Sequence, residues 1–527
     1  MGILRLWLKC PLVFRVLIAF TAVLLLVISV YQLDCIRLRH NLNTYREELK
    51  KQGVKFNINE VYPNSSPSSI EAGNELIKLC HFHQGGNVFQ SFFVLTNNHK
   101  FRISQLPEIQ PEIPWSVIEG DMQSNKVAIQ KITQFIQNTN IAFPVPPLTI
   151  EALIDESNNG KYWDSLFSAS RLFEKAEIYH LHQGNYNEAF ANLMTLFRIN
   201  KLIQNAPRLL TSSSQFSLSK SCLCTWELLE YNSWTDSQLL EIQNAIEEID
   251  FFHELQVSLD MLTITEPFFF AEGRKECFIN MKPSSPLSER IAEFFQNAVR
   301  SPERSFKKIV EIIHAQDWCA RSFLKSEKHH LEYNFFWQQV TQKIKEKTPW
   351  SNLLQKSNIQ YAQLKAQYGR PFWIEEPNSE LLFKKMCLNE TMRRIMITAI
   401  ALKRFQLKNG QYPENLSELV PNYMSSIPID PMSQKSLVYH LHPEDGYWLY
   451  SVGENGVDEM SKGLTPKTSQ LNVTSFSLLK NGSDDLSWPR PASQEENEAE
   501  IKRITDLSKQ YNTPRPNRRG SRRAPSP

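Results

Sequence analysis

The chain has 527 residues, several times the ~150 of a typical domain, so two or three structural units and a sizeable buried core are expected. Its 58 Lys and Arg stand against 56 Asp and Glu, a net charge of +2, which removes any argument for binding a polyanion through overall charge. With only 17 glycines the chain leans away from repeated β-turn architectures, and collagen, β-solenoids and disorder of the whole chain are excluded.

The eight cysteines, Cys10, Cys35, Cys80, Cys222, Cys224, Cys277, Cys319 and Cys387, include no Cys-x-x-Cys pair and are too sparse for a disulfide scaffold. Cys222 and Cys224 lie two apart in a helical stretch, roughly 200° from one another around the axis, so they read as ordinary thiols.

In chain order, the first element is Val16 to Leu33, VLIAFTAVLLLVISVYQL, which carries no charge. With Pro11 to Phe14 it supplies ~22 residues, or ~33 Å of helix, enough to cross a hydrocarbon core of ~30 Å. Arg5, Lys9 and Arg15 sit at its upstream end. A cleavable signal peptide would have a shorter apolar part ending at small residues, and Val30-Tyr31-Gln32-Leu33-Asp34 offers no such site. An uncleaved transmembrane anchor is therefore expected over residues 1–33. Met1 to Cys10 would form a cytoplasmic stub, and the bulk of the chain would lie on the periplasmic side of a bacterial inner membrane. Arg37, Arg39, Lys50 and Lys51 follow the span and compete in setting that orientation.

Residues 34–69 read as a charged juxtamembrane helix, Cys35 to Gly53, followed by a Pro- and Ser-rich linker from Asn57 to Ser69. Residues 70–385 form an irregular helical body. Within it Trp163, Leu166, Phe167, Phe173 and Ala176 recur at helical spacing, as do Tyr186, Ala189, Phe190, Leu193, Leu196 and Phe197, with Gln183-Gly184-Asn185 as the turn. The expected product is an antiparallel α-hairpin. It resembles one tetratricopeptide unit at Gly184, Tyr186 and Ala189, without a second copy at a ~34-residue period. Thr235 and Gln238 make a capping box for the next amphipathic helix, Ser237 to Glu248.

Residues 386–490 read as a small α+β module. A helix over Leu388 to Lys408 carries Ile395, Ala399, Leu402 and Phe405 on one face, Gly410 caps it and Pro413 forbids its continuation. Pro428-x-Asp430-Pro431 sets a turn, and strands Leu437 to His442 and Tyr447 to Val452 form a hairpin. The run Ala399 to Asp458 resembles the C-terminal half of the major pseudopilins of type II secretion at Ala401-Leu402, Gly410-x-Tyr412-Pro413, Leu416, Leu419, Pro428-x-Asp430-Pro431 and Tyr450-Ser451-x-Gly453-x-x-Gly456. The whole arrangement, with Gly184-Asn-Tyr-x-Glu-Ala189 in the body, resembles uncharacterised single-span proteins of planctomycete and verrucomicrobial bacteria. That resemblance implies an envelope protein and carries no reaction. Residues 491–527 read as a disordered basic tail ending in Arg515, Arg518, Arg519, Arg522 and Arg523.

No Walker loop, Gly-x-Gly-x-x-Gly, Gly-x-Ser-x-Gly or His-Glu-x-x-His motif is present. Glu-x-x-His occurs at Glu177/His180, Glu311/His314 and Glu327/His330, the spacing by which helical di-metal proteins present two ligands from one face. The ordinary reading of these pairs is as solvated surface groups. His440 and His442 share one face of a strand, with Tyr439 and Leu441 expected on the apolar face. The loop Glu454 to Glu459 offers oxygens of the kind calcium prefers, and the resemblance to pseudopilins implies calcium nearby.

No residue is assigned a catalytic, cofactor-binding or metal-ligating role, and no cofactor is expected. The expected function is that of a membrane-anchored scaffold or interaction protein of the envelope. Its partners would be the membrane and other envelope proteins, with no specific nucleic acid. The competing reading is a metal-dependent helical enzyme built on the Glu-x-x-His pairs.

Overall fold

The computed structural model describes residues 12–80, 115–148, 156–207, 221–280, 324–342, 379–458 and 485–488, apart from some positions inside these stretches. The chain is mainly helical, as its composition and periodicity predict. The expected basic tail lies outside the described residues but for one position, and so does much of the body between 281 and 378.

Helix α1, Leu12–Lys51, runs unbroken for 40 residues, or ~60 Å. Among the described residues no helix is long and apolar enough to cross a membrane. The expected span lies inside α1, and its side chains at 12–21 and at several positions from 23 to 31 are outside the described residues. At its far end α1 stops at Gly53, whose φ of +88° is open to glycine at no steric cost.

The stretch from Asn57 to Ser69, expected to be a linker, is largely structured. Asn57 and Glu60 close a capping box around the helical turn α2, Ile58–Val61. Ser66 caps α3, Pro67–Leu79, with Pro67 in the first turn, where its missing N–H costs nothing. Part of the Pro and Ser content that suggested a linker is spent on the start of α3.

Helix α3 packs on α4, Trp115–Asn138, and on the extended segment that follows it. The Ala142 amide donates to the Ser69 carbonyl at 3.0 Å, and a Cβ placed on Gly73 would lie 2.0 Å from the Ala142 carbonyl oxygen. The closest-packed pair of helices is α5, Glu156–His182, with α6, Tyr186–Asn205, turned through Gly184 at φ +71°. This is the hairpin expected from the sequence. Ala189, Leu193, Leu196 and Ile199 of α6 are fully buried. Helix α7, Asp236–Glu247, opens on the Thr235/Gln238 capping box. Helix α8, Phe251–Asn280, and helix α9, Ser379–Asn409, complete the helical layer.

Gly410 caps α9 at φ +78°, its amide donating to the Gln406 carbonyl at 2.8 Å. A short 3₁₀ turn at Leu416–Leu419 leads to the antiparallel strands β1, Val438–His442, and β2, Gly446–Ser451, in register from Val438 opposite Tyr450 to His442 opposite Gly446. A third strand, β3, Leu486–Ser487, pairs with β2 to give the order β1-β2-β3.

The expected packing of α9 differs in one respect. Ile395, Ala399 and Leu402 are fully buried, but α9 lies mainly against α7 and α8 of the body and only secondarily on β2. One apolar core accordingly runs from Leu76 through Ile395 to Trp488. Leu441, expected on the apolar face of β1, is 47% exposed near the hairpin end of the strand, whereas Leu449, opposite Tyr439 on that same face, is buried.

Gly73→Ala should lower stability by about 1–3 kcal/mol, since a backbone carbonyl has to move to admit the methyl group. Gly410→Ala should cost about 1 kcal/mol through backbone strain alone, having open space for its Cβ. Paired thermal melts of the detergent-purified chain check the order.

Candidate functional site

The Glu-x-x-His pairs are the chemical starting point, and the structure separates them. Glu177 on α5 is completely buried, whereas His180, one turn later, is only partly so. Burial pushes the Glu177 carboxyl well above the ordinary carboxylate range, the Cys224 thiol draws it back as a donor, and Glu227 and Glu174 push it further up. Its two oxygens accept no hydrogen bond of regular geometry. His180 is shifted downward by burial, against an opposing pull from Glu188. Its Tyr179 neighbour meets it edge-on at 5.3 Å, and His182 stacks on Trp115 at 3.7 Å.

A cation needs deprotonated, convergent ligands. Among the described residues no group of three or more His, Cys, Asp and Glu side chains is placed to hold a metal ion. The neighbouring polar groups are committed elsewhere. Lys175 meets Asp121 at 3.3 Å, and the Asn200 amide donates to Ser221 at 2.6 Å while its oxygen accepts from Ser170 at 3.4 Å. Cys224 is fully buried, and burial pushes the Cys80 thiol up to about 12, so neither is placed as a nucleophile.

The second pair does something different. Glu327, buried in the helical stretch over 324–342, receives the guanidinium of Arg46 from α1. The same joint packs Leu42, Leu49 and Val54 against Leu324 and Leu331, with Lys328 over the Tyr45 ring at 5.6 Å. His330 is buried beside it. Glu327 and His330, expected at a solvated helix surface, are therefore interior. The charge fixing α1 to the body comes from a residue 281 positions away. Glu311 and His314 lie outside the described residues.

A second tie reinforces this joint. Asp260 of α8 accepts from Gln256 at 3.0 Å and from Gln338 at 3.1 Å, and lies 3.5 Å from the Lys55 ammonium. Burial raises its carboxyl above the usual value, while Gln256 and Lys55 pull it down. Beside it Val61, Met261 and Ile264 form a small apolar cluster. The chain leaving α1 is thus held at two points.

In the α+β module the expected structural role of Asp430 is visible atom by atom. One carboxylate oxygen accepts from the Thr391 hydroxyl at 3.1 Å and the Met432 amide at 3.0 Å; the other accepts from the Ser433 and Ser451 hydroxyls at 2.9 and 2.6 Å. A buried carboxylate thereby joins α9, the turn after Pro431 and the end of β2. His442 stacks on Trp448 at 4.8 Å and His440 lies against Tyr450 at 6.4 Å. Of the loop considered for calcium, Glu454, Asn455 and Glu459 are outside the described residues, and Asp458 accepts from the Tyr450 hydroxyl at 3.1 Å.

A cavity of about 410 Å³ opens where the start of α3, the segment after α4 and the end of α6 meet. Its hydroxyls face inward on the protein: Ser66 and Ser69 bond each other at 2.8 Å, and Ser66 caps the helix. No family model, curated protein or solved structure matches the chain.

Glu177 binds its proton more tightly folded than unfolded, because its folded value is raised. Its contribution to stability is complete below about pH 4.5, the ordinary carboxyl value, and is lost as pH rises towards and through the elevated folded value. Glu177→Leu should therefore stabilise the chain by about 1–3 kcal/mol at pH 8 and by less at pH 5. Thermal melts at the two pH values test the sign. Arg46→Ala should cost about 3 kcal/mol by removing the guanidinium that meets the buried Glu327 carboxylate, and Glu327→Leu should cost less. Limited proteolysis between residues 51 and 66 should be faster in Arg46→Ala only.

Proposed function

We propose that this chain is a single-span membrane protein of the bacterial envelope that carries its helical body rigidly at the membrane surface as a scaffold for other envelope proteins. The observation supporting this reading is the division of α1 into two environments along one unbroken helix. Five large apolar side chains, Leu25, Leu26, Val30, Leu33 and Ile36, are exposed on its first part. Leu42, Arg46 and Leu49, from under two turns beyond Ile36 onward, are locked into the body. A row of exposed aliphatic side chains on an otherwise well-packed chain is costly in water and favourable in hydrocarbon.

A scaffold also accounts for the use of charge. The buried ionisable groups Glu327, Asp430 and Arg404 serve to join elements, and none is left with a nucleophile, base and open cavity around it. In this reading the α+β module is a pseudopilin-like cap that contributes surface for association, and the body lies on the periplasmic side.

Carbonate extraction of membranes tests the anchor. The full chain should stay in the pellet, and a chain lacking residues 1–36 should be released; release of the full chain overturns the proposal. Alkaline phosphatase fused after Gly53 should be active, and an inactive fusion reverses the orientation. Cross-linking in native membranes followed by mass spectrometry should recover other envelope proteins, and recovery of none overturns the scaffold role.

A further inference from the structure

We infer that the face of α1 from Leu25 to His40 is a lipid-reading surface whose upper end binds the headgroups of anionic phospholipids in the leaflet nearest the body. The inference rests on the membrane-anchor reading and adds to it the charge class of the lipid.

The argument is one of position on a single helix. At ~100° per residue, Leu25, Leu26, Val30, Leu33 and Ile36 fall within an arc of ~140°, and Arg37 and His40 continue that arc one turn further on. Arg39 lies ~40° outside one edge of it. Arg37, Arg39 and His40 are all exposed. Neither guanidinium has a hydrogen-bond or ion-pair partner among the described residues, in contrast to Arg46 on the same helix. Asp34 lies ~40° outside the other edge, three residues before Arg37 and so at the inner side of the headgroup layer. Beyond His40 the exposed side chains of the next turn are Asn41, Asn43 and Thr44, all neutral.

The heights agree with a bilayer. From Val16 to Ile36 the helix rises ~30 Å, the thickness of the hydrocarbon core. Arg37 to His40 then occupy the next ~6 Å, the depth of the headgroup layer on one side. Body contacts begin at Leu38, which packs from the opposite side of this turn against the cluster around Leu42 and Leu49. Two arginines without partners among the described residues are thus held at headgroup height by a helix that the Arg46–Glu327 joint keeps from sliding or turning. A phosphodiester without a balancing choline is the group whose charge completes this ring.

The test uses the full chain purified in mild detergent and titrated with mixed micelles of phosphatidylglycerol or phosphatidylcholine, with retained lipid counted by native mass spectrometry. Phosphatidylglycerol should be preferred by roughly 25-fold, about 5-fold per arginine. The variant Arg37→Gln/Arg39→Gln/His40→Gln should lose this preference, bind phosphatidylcholine as before and remain carbonate-resistant. These side chains support no packing, so the variant folds as the parent does. Equal retention of both lipids by the parent, or an unchanged preference in the variant, overturns the inference. So does displacement of phosphatidylglycerol by inorganic phosphate, which would make this a phosphate site and not a lipid surface. A carbonate-resistant chain without lipid preference loses only this inference; a carbonate-extracted chain loses the anchor reading as well.

Discussion

Helix α9 is the member on which the described fold depends, and its burial on nearly every side sets the terms for the rest. Ile395, Met396, Ala399, Ile400, Ala401 and Leu402 are all fully buried, so no continuous face of the helix is left to water. Its charged residues must then be satisfied inside the protein. Glu390 is bracketed by Arg393 and Arg394, each at 2.7 Å. Arg404 reaches Asp236 at 2.7 Å, Gln243 at 3.1 Å and the Tyr423 carbonyl at 3.2 Å, while lying over the Tyr423 ring. Lys403 donates to Asn232 at 2.6 Å. The Glu390 pairs lie within α9, whereas each bond of Lys403 and Arg404 crosses from α9 to the body or to the loop that leads into the sheet. The helix is therefore the shared wall of the body and the α+β module.

This wall explains why the module's turn chemistry is so fully committed. Asp430 spends all its accepting capacity on Thr391 of α9, on the turn and on β2, so the sheet is registered against the helix by hydrogen bonds as well as by apolar contact. The Tyr439 hydroxyl donates to the Pro413 carbonyl at 2.7 Å, tying β1 to the segment just after the Gly410 cap. Burial pushes that hydroxyl's proton affinity up, consistent with a purely structural bond.

At the other end of the chain the same economy of charge holds α1. The Arg46–Glu327 pair and the Asp260 cluster are each surrounded by apolar side chains, a setting in which a lost partner is costly and a retained one gives a defined geometry. A helix fixed in azimuth presents the same face to its surroundings at all times. That constancy gives the exposed aliphatic row and the arginines above it a meaning that a freely rotating stalk would lack.

Much of this was legible in the amino-acid sequence, wherever one local signal suffices. The 3.6-residue period predicted the α5–α6 hairpin and its turn at Gly184; the Thr235/Gln238 box started α7; Gly410 and Pro413 ended α9; the strand-like runs on either side of Pro443 to Gly446 predicted β1 and β2. These are properties of a few consecutive residues, decided by backbone sterics and capping bonds. The linker expectation failed on the same scale, since Ser and Pro serve a helix start as readily as a loop. What only the tertiary structure decided is which polar residues lie inside and with whom. Glu177 and Glu327 share one motif, yet one is a buried acid beside Cys224, Glu227 and Glu174 and the other the partner of Arg46. A side chain's solvation and its distant neighbours are set by how whole helices stack, and no spacing along the chain encodes a contact between residues 46 and 327.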